Sequence, residues 1–331
     1  MKKNIAVVTG GNSSEHVVSL KSADLIEASL DKDKYNIYRV LIEGAGWTVQ
    51  QQGKPDIAVN KNDFSFEDSN GITRFDCALV AIHGTPGEDG LLQGYFEMLQ
   101  IPYTTCDVLV SSLTFNKWAC KKYLSDTTVA MAKAILICNG DKLNAETVVK
   151  QLGLPLFVKP NEGGSSFGIS KVKSVSDMQH AIDEALIEDV NVIVEEFISG
   201  VELTCGLMRT GSELLVFPIT EIVSKKEFFD YEAKYTPGMS EEITPARISP
   251  DLAKRVEDSS RLIYERLGCK GIVRIDYIYN KEKDMLYFLE VNTVPGMTEN
   301  SLVPKQVKAM GKTFGEVLEM LVDDSVGLAY K

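Results

Sequence analysis

The sequence predicts an α/β protein that begins with a doubly wound parallel sheet. The first observation is a short apolar run at residues 5–9, which ends in two glycines and is typical of a buried parallel strand. The second is the helical spacing of apolar side chains over residues 17–30. The third is that strand-like and helical segments keep alternating through the next part of the chain, which is the pattern of a parallel sheet. These segments are residues 35–41, 77–82, 91–99 and 101–103.

A second unit begins near Ser112. The predicted helices in it are residues 113–124, 145–152, 175–185, 250–267 and 313–323. The predicted strands are residues 156–159, 168–172 and 191–197, and the chain is strand-rich from Val201 to the helix at 250. Residues 44–74, within the first unit, are polar and contain glycine, which indicates weak strands and loop.

Length, charge and cysteine spacing limit the function classes. The 331 residues are enough for about two or three domains. A formal net charge of -12 repels nucleic-acid backbones, so we expect no nucleic-acid partner, although a local Lys and Arg cluster can still hold ATP. The six cysteines form no Cys-x-x-Cys pair, so neither a zinc site nor a disulfide framework is indicated. No apolar run is long enough for a signal peptide or a membrane span, so we predict a cytoplasmic protein without a membrane partner.

A predicted β-hairpin over residues 272–292 carries four polar side chains in an otherwise apolar pattern. Side chains alternate across a strand, so Arg274 and Asp276 share one face, as do Glu290 and Asn292 on the partner strand. If Asp276 pairs with Glu290, Arg274 falls opposite Asn292. Neighbouring carboxylates repel unless a cation lies between them, and carboxylates with an amide oxygen are ligands that Mg²⁺ accepts beside phosphates. The alternative is a solvated hairpin face of mixed charge.

The Gly- and Ser-rich loop at residues 162–168 follows the strand that ends in Lys159. Exposed N–H groups in such a loop can cradle phosphate oxygens, and a Lys before the loop adds a cation for them. The loop is not a Walker A motif, because no Gly-Lys-Ser/Thr follows the glycines. The alternative is a flexible hairpin turn.

The loop at residues 10–15 joins the first strand to its helix and lacks the GxGxxG dinucleotide fingerprint. Asn12 and Glu15 have the spacing of a helix capping box, which is one explanation of both residues. The other is that the helix start offers free N–H groups to an anion while Glu15 receives an ammonium group. Both hold if Ser13 or Ser14 takes the cap.

The Gly-rich loop at residues 83–90 follows an apolar strand, where ligands of parallel sheets bind. His83 is therefore a candidate site residue, although a lone histidine is more often structural. Glu88 and Asp89 have a simpler explanation as acids at the start of the next helix. A further segment, residues 228–238, mixes aromatic and charged side chains and is expected to pack onto the protein, either permanently or as a lid.

Together these motifs resemble the D-alanine–D-alanine ligase family within the ATP-grasp enzymes. The resemblance runs nearly the whole length and is carried by residues 10–23, 83–94, 159–171, 231–235, 271–276 and 289–298. It implies an N-terminal α/β domain at 1–112, followed by two α+β domains, 113–205 and 206–331, which form an ATP-grasp. It also implies a homodimer.

The resemblance assigns roles by position. It implies ATP contacts from Lys117, Lys159, Ser165, Glu195, Glu196, Ile198, Glu202 and Lys234. It implies two Mg²⁺ ions, for which Mn²⁺ can substitute, on Asp276, Glu290 and Asn292. It implies substrate contacts from Glu15, His83, Arg274, Ser301 and Leu302. It implies catalytic roles for Glu15, Ser165, Tyr235, Arg274 and Gly296. Residues 161–163 depart from a fixed family pattern.

The activity implied is ATP-dependent joining of two D-alanines, through D-alanyl phosphate, for peptidoglycan precursors. Tyr235 resembles the dipeptide-forming branch, because the members that make D-alanyl-D-lactate lack this tyrosine. Two alternatives remain: an ATP-grasp ligase for other carboxylates and amines, and an ATP-binding regulatory protein without turnover. A nicotinamide dehydrogenase is disfavoured, because its glycine fingerprint is missing.

Overall fold

The computed structural model describes residues 2–141, 144–164, 168–224 and 240–328. The helices in these ranges are α1 (His16–Ser29), α2 (Leu91–Met98), α3 (Val108–Phe115), α4 (Lys117–Tyr123), α5 (Ala145–Leu152), α6 (Met178–Glu188), α7 (Pro250–Leu267), α8 (Leu302–Ala309) and α9 (Phe314–Leu328). No helix among the described residues is both long and apolar enough to cross a membrane.

The strands of the described ranges belong to four sheets. They are β1 (Lys3–Gly10), β2 (Tyr35–Glu43), β3 (Gly46–Val49), β4 (Ile57–Ala58), β5 (Ser65–Asp68), β6 (Gly71–Arg74), β7 (Cys77–Val80), β8 (Ala130–Met131), β9 (Ala134–Cys138), β10 (Leu156–Pro160), β11 (Ser170–Val172), β12 (Asn191–Glu196), β13 (Val201–Thr210), β14 (Glu213–Val216), β15 (Thr220–Ser224), β16 (Ser240–Ile243), β17 (Ile272–Asn280) and β18 (Met285–Asn292). The small two-stranded sheet is β5 with β6.

The N-terminal sheet has the strand order β4-β3-β2-β1-β7. β1 pairs in parallel with β2 and with β7, as the alternating pattern predicted. β3 and β4 extend the sheet in antiparallel pairing, so the sheet is mixed and not wholly parallel. This antiparallel edge comes from the polar region in which the sequence indicated only weak strands and loop.

Strand β1 is buried on both faces, which explains its continuous apolar run. Ile5 and Val7 pack in one cluster with side chains of α1 and α9, while Ala6 and Val8 pack in another. At its carboxyl end a Cβ on Gly10 would lie 2.4 Å from the carbonyl oxygen of Ile42, and the φ of Gly10 is +96°. Only glycine fits there, so the packing fixes where the chain leaves the sheet toward α1.

The second sheet is antiparallel throughout, in the order β11-β10-β12-β9. One face packs against α5 and α6, and it includes Leu156 and Val158 of β10. Because side chains alternate along a strand, Lys159 lies on the opposite face. That face also carries Glu195 of β12, which Lys159 contacts.

The third sheet runs β16-β15-β13-β17-β18-β8, with β14 also paired to β13. Helix α7 packs on one face, where its Val256 and Ile263 contact a core that includes Cys205 and Ile275. The opposite face is therefore left to the residues at alternate positions of β13 and β17. Helix α7 has the predicted bounds: the Ser249 hydroxyl accepts from the backbone N–H of Leu252 at 3.2 Å, and the chain turns at a left-handed glycine, Gly268.

Two helix predictions need correction. The single helix predicted at 113–124 is two helices, α3 and α4, separated at Asn116. Asn116 has an extended backbone, and its side chain accepts from the N–H of Ala119 at 2.9 Å, so it caps a new helix in place of continuing the first. Helix α8 was not predicted at all.

The division into domains 1–112, 113–205 and 206–331 stays a prediction. The N-terminal sheet lies within the first range and the second sheet within the second range. Strand β13 continues across residues 205 and 206, and β8 of the second range pairs in parallel with β18 of the third.

Candidate active site

A cavity of about 180 Å³ collects residues from all parts of the fold. Its walls come from the loops after β1 and β7, from the polar face of the third sheet and from the chain that leads into α8. It brings together ten of the predicted site residues: Glu15, His83, Glu202, Arg274, Asp276, Glu290, Asn292, Gly296, Ser301 and Leu302.

The β17–β18 hairpin has the predicted register. Asp276 lies opposite Glu290, and Arg274 lies opposite Asn292. A bulge follows Asp276, between it and Tyr277, at the edge of the polar patch. Asp276 is only 6% exposed, so the alternative of a solvated hairpin face is wrong for this carboxylate.

Asp276 accepts hydrogen bonds from three side chains. Arg274 donates from Nε to Oδ1 at 2.9 Å and from Nη2 to Oδ2 at 2.8 Å. Thr204 donates to Oδ1 at 2.6 Å, and the Asn292 amide donates to Oδ2 at 3.0 Å. Burial alone lowers the pKa of Arg274, but the charge of Asp276 and its hydrogen bonds outweigh burial, and the pKa of Arg274 is raised. The guanidinium therefore stays charged inside the cavity.

The acids of the hairpin suit a magnesium ion that also holds phosphates. Asp276 and Glu290 are neighbours across the strands, and Asn292 contacts Asp276. Within residues 2–141, 144–164, 168–224 and 240–328, no group of three or more His, Cys, Asp or Glu side chains could hold a metal alone. Mg²⁺ usually takes one or two carboxylates and completes its shell with water and substrate phosphates, so the donor set fits that use.

Glu15 lies where two glycine loops meet. A Cβ on Gly164 would lie 2.7 Å from Glu15 Oε2, and one on Gly84 would lie 3.5 Å from the same oxygen. The loop at Gly164 therefore approaches this buried carboxylate closely because it carries glycine there, whereas Gly84 lies in ordinary contact with Glu15 and is crowded by Ser13. An ammonium group in the cavity would meet a carboxylate already desolvated by the protein.

The predicted capping box at Asn12 and Glu15 is wrong. Glu15 itself precedes the first turn of α1 and makes no side-chain cap bond. The Asn12 side chain instead accepts from the N–H of Gly44 at 2.7 Å, and Ser13 accepts from the N–H of Glu15 at 3.2 Å. Ser13 thus makes a local contact just before the helix, and the second reading, in which Glu15 receives an ammonium group, stays a prediction.

His83 is held by three serines. Its backbone N–H donates to Ser19 at 3.0 Å, its carbonyl accepts from Ser13 at 2.8 Å, and its Nε2 lies 3.2 Å from the Ser22 hydroxyl. Burial lowers the pKa of His83 and outweighs the raising effect of Glu15. The imidazole is therefore neutral near pH 7 and serves the cavity as a dipole and a wall.

Glu88 is a cavity residue that the sequence interpretation missed. Asp89 starts α2 as predicted, since its side chain accepts from the N–H of Leu91 at 3.1 Å. Glu88 instead turns back and accepts from the N–H of Gly84 at 2.7 Å. Burial, followed by the charge of Glu15, raises the pKa of Glu88 to about 8. The only feature of the sequence that could have indicated this role of Glu88 is its position in the same loop as His83.

The second sheet holds a buried cluster of two lysines around one glutamate. Glu195 accepts from Lys121 at 2.5 Å and from Lys159 at 2.6 Å, and it is 4% exposed. Burial by itself raises the pKa of Glu195, but Lys159 and then Lys121 outweigh it and lower the pKa to about 2. Lys121 was not among the predicted site residues, and it doubles the positive charge beside Glu195.

Lys117 lies across the glycine loop. Its Nζ donates to the carbonyl of Gly163 at 2.7 Å, and its backbone N–H donates to the carbonyl of Asn161. Burial lowers the pKa of Lys117 and exceeds the raising effect of Glu290. An anion beside this desolvated ammonium would stabilise its charged form.

The remaining predicted nucleotide contacts lie outside the lining of the cavity. Glu196 accepts from the N–H of Lys133 at 2.8 Å, and Ile198 packs with Tyr287. Among the described residues, the cavity lining includes Glu202 but not Lys159 or Glu195. The predicted ATP contacts of the second sheet stay predictions.

Ser301 marks the start of α8 beside the cavity. Its hydroxyl accepts from the N–H of Thr298 at 3.0 Å and caps no N–H of the helix. A Cβ on Gly296 would lie 2.9 Å from Ser301 Oγ, so the two segments approach closely. The first N–H groups of α8 suit a carboxylate ligand. Ser165, Lys234 and Tyr235, together with the segment at 228–238, lie outside the described residues.

Comparison with known proteins gives one consistent result. The family model described as D-ala D-ala ligase N-terminus matches residues 4–106, and the model described as D-ala D-ala ligase C-terminus matches residues 125–323. A D-alanine–D-alanine ligase from Azobacteroides pseudotrichonymphae genomovar. CFP2 is 51% identical over 97% of this chain and 99% of its own length.

Two solved structures are also similar. The VanG D-Ala:D-Ser ligase from Enterococcus faecalis has a TM-score of 0.84 at 34% identity, covering 99% of this chain and 100% of that one. The D-alanine–D-alanine ligase from Bacillus anthracis complexed with ATP has a TM-score of 0.80 at 31% identity, covering 100% and 99%.

Proposed function

The chain belongs to the D-alanine–D-alanine ligase family, and we propose that it joins two D-alanines through a D-alanyl phosphate intermediate, with release of ADP and phosphate. One observation carries the proposal: Asp276 and Glu290 are paired across strands in the same cavity as Arg274 and Glu15. Acids for a metal, a cation for a developing oxyanion and an acid for an ammonium group are the parts this chemistry needs.

The first step is transfer of a phosphoryl group. A carboxylate oxygen of the first D-alanine forms a bond to the γ-phosphorus of ATP, and the bond from that phosphorus to the β–γ bridging oxygen breaks, which releases ADP. Glu15 holds the ammonium group of this D-alanine. Mg²⁺ on Asp276, Glu290 and Asn292 would neutralise charge on the phosphates when bound. Lys117 and Lys159 are the ammonium groups assigned to those phosphates; both are half-buried, and a phosphate would compensate the desolvation of these ammonium groups.

The second step forms the peptide bond. The neutral amine of the second D-alanine attacks the acyl carbon, a C–N bond forms, the bond from that carbon to the phosphate oxygen breaks, and the departing phosphate takes up the proton that the nitrogen loses. Arg274 and the N–H of Gly296 stabilise the tetrahedral oxyanion, and the start of α8 at Ser301 and Leu302 binds the carboxylate of the attacking D-alanine. Glu15, Ser165 and Tyr235 are the set assigned to closing the site against water.

A coupled assay tests this assignment. Purified protein with Mg·ATP is expected to release phosphate on addition of D-alanine, and mass spectrometry is expected to identify D-alanyl-D-alanine. Phosphate release with another amino acid but not with D-alanine would assign the chain to a different substrate. Nucleotide binding without ADP formation in any substrate mixture would instead support a regulatory ATP-binding protein.

The second substrate deserves its own assay, because one similar structure is named a D-Ala:D-Ser ligase. We expect D-alanine to exceed D-serine and D-lactate when each competes for the second position. The relative with 51% identity is named for D-alanine at both positions, which supports this order. The substitution Tyr235→Phe is expected to shift the product ratio toward D-alanyl-D-lactate. An unchanged ratio would favour a ligase of other specificity.

We also infer a homodimer in the cytoplasm. The family resemblance supports the dimer. Light scattering on the purified protein is expected to give twice the mass of one chain, and a single-chain mass at micromolar concentration would contradict it. Fractionation of the source cell tests the location.

A further inference from the structure

Four side chains form a row across the polar face of the third sheet. The strand registers place Thr220 opposite Thr204, Thr204 opposite Asp276, and Asp276 opposite Glu290. The row thus crosses β15, β13, β17 and β18 and ends at the two acids of the hairpin. Thr204 is the one member of the row that contacts an acid without being assigned any role.

The contact between Thr204 and Asp276 is short and buried. The Thr204 hydroxyl donates to Asp276 Oδ1 at 2.6 Å, and Thr204 is 0% exposed. A hydroxyl that donates to an ionised carboxylate makes a strong, charge-assisted hydrogen bond. Because solvent does not reach Thr204, water cannot take its place without repacking of the strand.

Asp276 has more donors than a metal-bound carboxylate can keep. Arg274, Thr204 and Asn292 together place five hydrogen bonds on its two oxygens, about one more than its four lone-pair positions. Asn292 is itself an assigned ligand, so its bond is the one we expect a cation to replace. Arg274 and Thr204 are not ligands, and their bonds can hold the carboxylate plane before and after the cation arrives.

The backbone of Thr204 is fixed by helix α8. Gln306 donates from Nε2 to the carbonyl of Thr204 and to the Thr220 hydroxyl, each at 3.2 Å. Gln306 is 0% exposed, and a Cβ on Gly206 would lie 2.5 Å from its Oε1. The side chain therefore fits only because β13 has glycine there. This contact leaves Thr204 little freedom to move away from Asp276.

We propose that Thr204 is a positioning residue, whose hydroxyl orients Asp276 for the divalent cation that accompanies the nucleotide. The proposal deepens the proposed function and rests on it for the identity of the site. The alternative is that Thr204 only fills space in a buried sheet. The two readings differ in what a change of Thr204 does to metal affinity, because outer partners of metal ligands typically change affinity by about 10-fold to 100-fold.

The test measures Mn²⁺ binding by electron paramagnetic resonance in the presence of a non-hydrolysable ATP analogue, without D-alanine. Thr204→Val removes the hydroxyl at nearly constant volume and is expected to weaken Mn²⁺ binding by about 10-fold or more. Thr204→Ser keeps the hydroxyl and is expected to restore affinity close to that of the wild type. If Thr204→Val does not fold, Thr204→Ala replaces it with the same expected loss.

Thr104→Val is the matched control. Thr104 is also buried, and its hydroxyl accepts from the N–H of Val80 at 3.2 Å, outside the cavity lining. It is expected to lower the melting temperature but to leave Mn²⁺ affinity unchanged. Wild-type Mn²⁺ affinity in a folded Thr204→Val, or a loss in Thr104→Val equal to that in Thr204→Val, would overturn the proposal.

The outcome is separable from that of the proposed function. Phosphate release with D-alanine tests the ligase assignment alone, and Mn²⁺ binding with the nucleotide analogue tests Thr204 alone. A wild type that binds Mn²⁺ but makes no dipeptide would refute the ligase and still decide the role of Thr204. An active wild type whose Thr204→Val variant keeps its Mg²⁺ activation constant would refute the role of Thr204 only.

Discussion

Asp276 and Glu290 face each other across β17 and β18, at the end of a row that begins with two threonines. Two like charges directly opposite on a sheet repel, so their pairing needs compensation. Arg274 supplies part of it through its two-pronged contact with Asp276. A divalent cation would supply the rest. We therefore expect metal binding, and not the stability of the fold, to depend on Glu290.

Glu290→Gln tests that dependence. The change removes a charge assigned to the metal, and metal ions contribute several kcal/mol to phosphoryl transfer, so we expect turnover to fall by about 10³-fold or more. The free energy of unfolding should change little, because the residue does not belong to an apolar cluster. Phosphate release and thermal unfolding measure the two effects. Glu282→Gln, on the exposed turn of the same hairpin, is the control and should retain both. A collapse of the melting temperature in Glu290→Gln would contradict the assignment.

The hairpin shows why part of the site could be predicted from the sequence. Side chains alternate with a period of two along each strand and the turn is short, so only one register puts the four polar side chains on the same face. They are Arg274, Asp276, Glu290 and Asn292. The bounds of helix α7 could be predicted equally well, because the capping and stop signals at its ends are local. These features depend on neighbours close in sequence.

The features that were missed depend on distant partners. Glu195 contacts Lys121 because α4 lies beside β12, and the sequence of neither segment indicates that contact. Glu88 resembles an ordinary acid at a helix start until the loop turns it back onto Gly84. Asn116 caps α4 through a local contact with Ala119, but the break between the helices also has a distant contact, since the Asn116 side chain donates to Glu162 at 2.8 Å. Tertiary contacts override local pattern in all three cases.

Arg274→Met should destabilise the protein as well as inactivate it. Its removal leaves Asp276 buried with the donors Thr204 and Asn292 but without its cation, and breaking a buried ion pair typically costs about 3–5 kcal/mol. Denaturant unfolding is expected to show most of that loss. Arg274→Lys keeps the charge and loses the fork, so it should lose activity with a smaller loss of stability. Equal unfolding free energies for Arg274→Met and the wild type would show that the ion pair with Asp276 adds nothing to stability.

The lowered pKa of Glu195 predicts that part of the protein's stability is lost in acid. Its pKa is lowered from 4.5 to about 2 in the folded protein, so its contribution is present above pH 4.5 and is lost as pH falls toward 2. Unfolding free energies measured between pH 2 and pH 6 should fall more steeply for the wild type than for Glu195→Gln. Glu213→Gln, an exposed acid away from the cluster, should keep the wild-type slope. Parallel slopes for Glu195→Gln and the wild type would contradict the double ion pair with Lys121 and Lys159.

The raised pKa of Glu88 predicts a pH dependence of stability opposite to that from Glu195. Its pKa is raised from 4.5 to about 8, so the carboxyl is protonated in the folded protein near pH 7, while in the unfolded chain it is ionised. The stability that it contributes is therefore full below pH 4.5 and is lost as pH rises through about 8. Glu88→Gln imitates the protonated carboxyl, so it should unfold with less dependence on pH between 5 and 9 and keep activity near neutral pH.

A second variant, Glu15→Gln, separates two explanations of why Glu88 is neutral. Burial is the largest cause of its raised pKa, and the charge of Glu15 is the next. If Glu15 matters, Glu15→Gln should lower the pKa of Glu88, which ¹³C NMR of the side-chain carboxyl carbon can follow against pH. Titration of Glu88 near 4.5 in the otherwise unchanged protein would mean that the carboxyl is solvated. The cavity would then hold an ionised Glu88 beside Glu15, and binding of the first D-alanine would have to weaken as Glu88 is protonated.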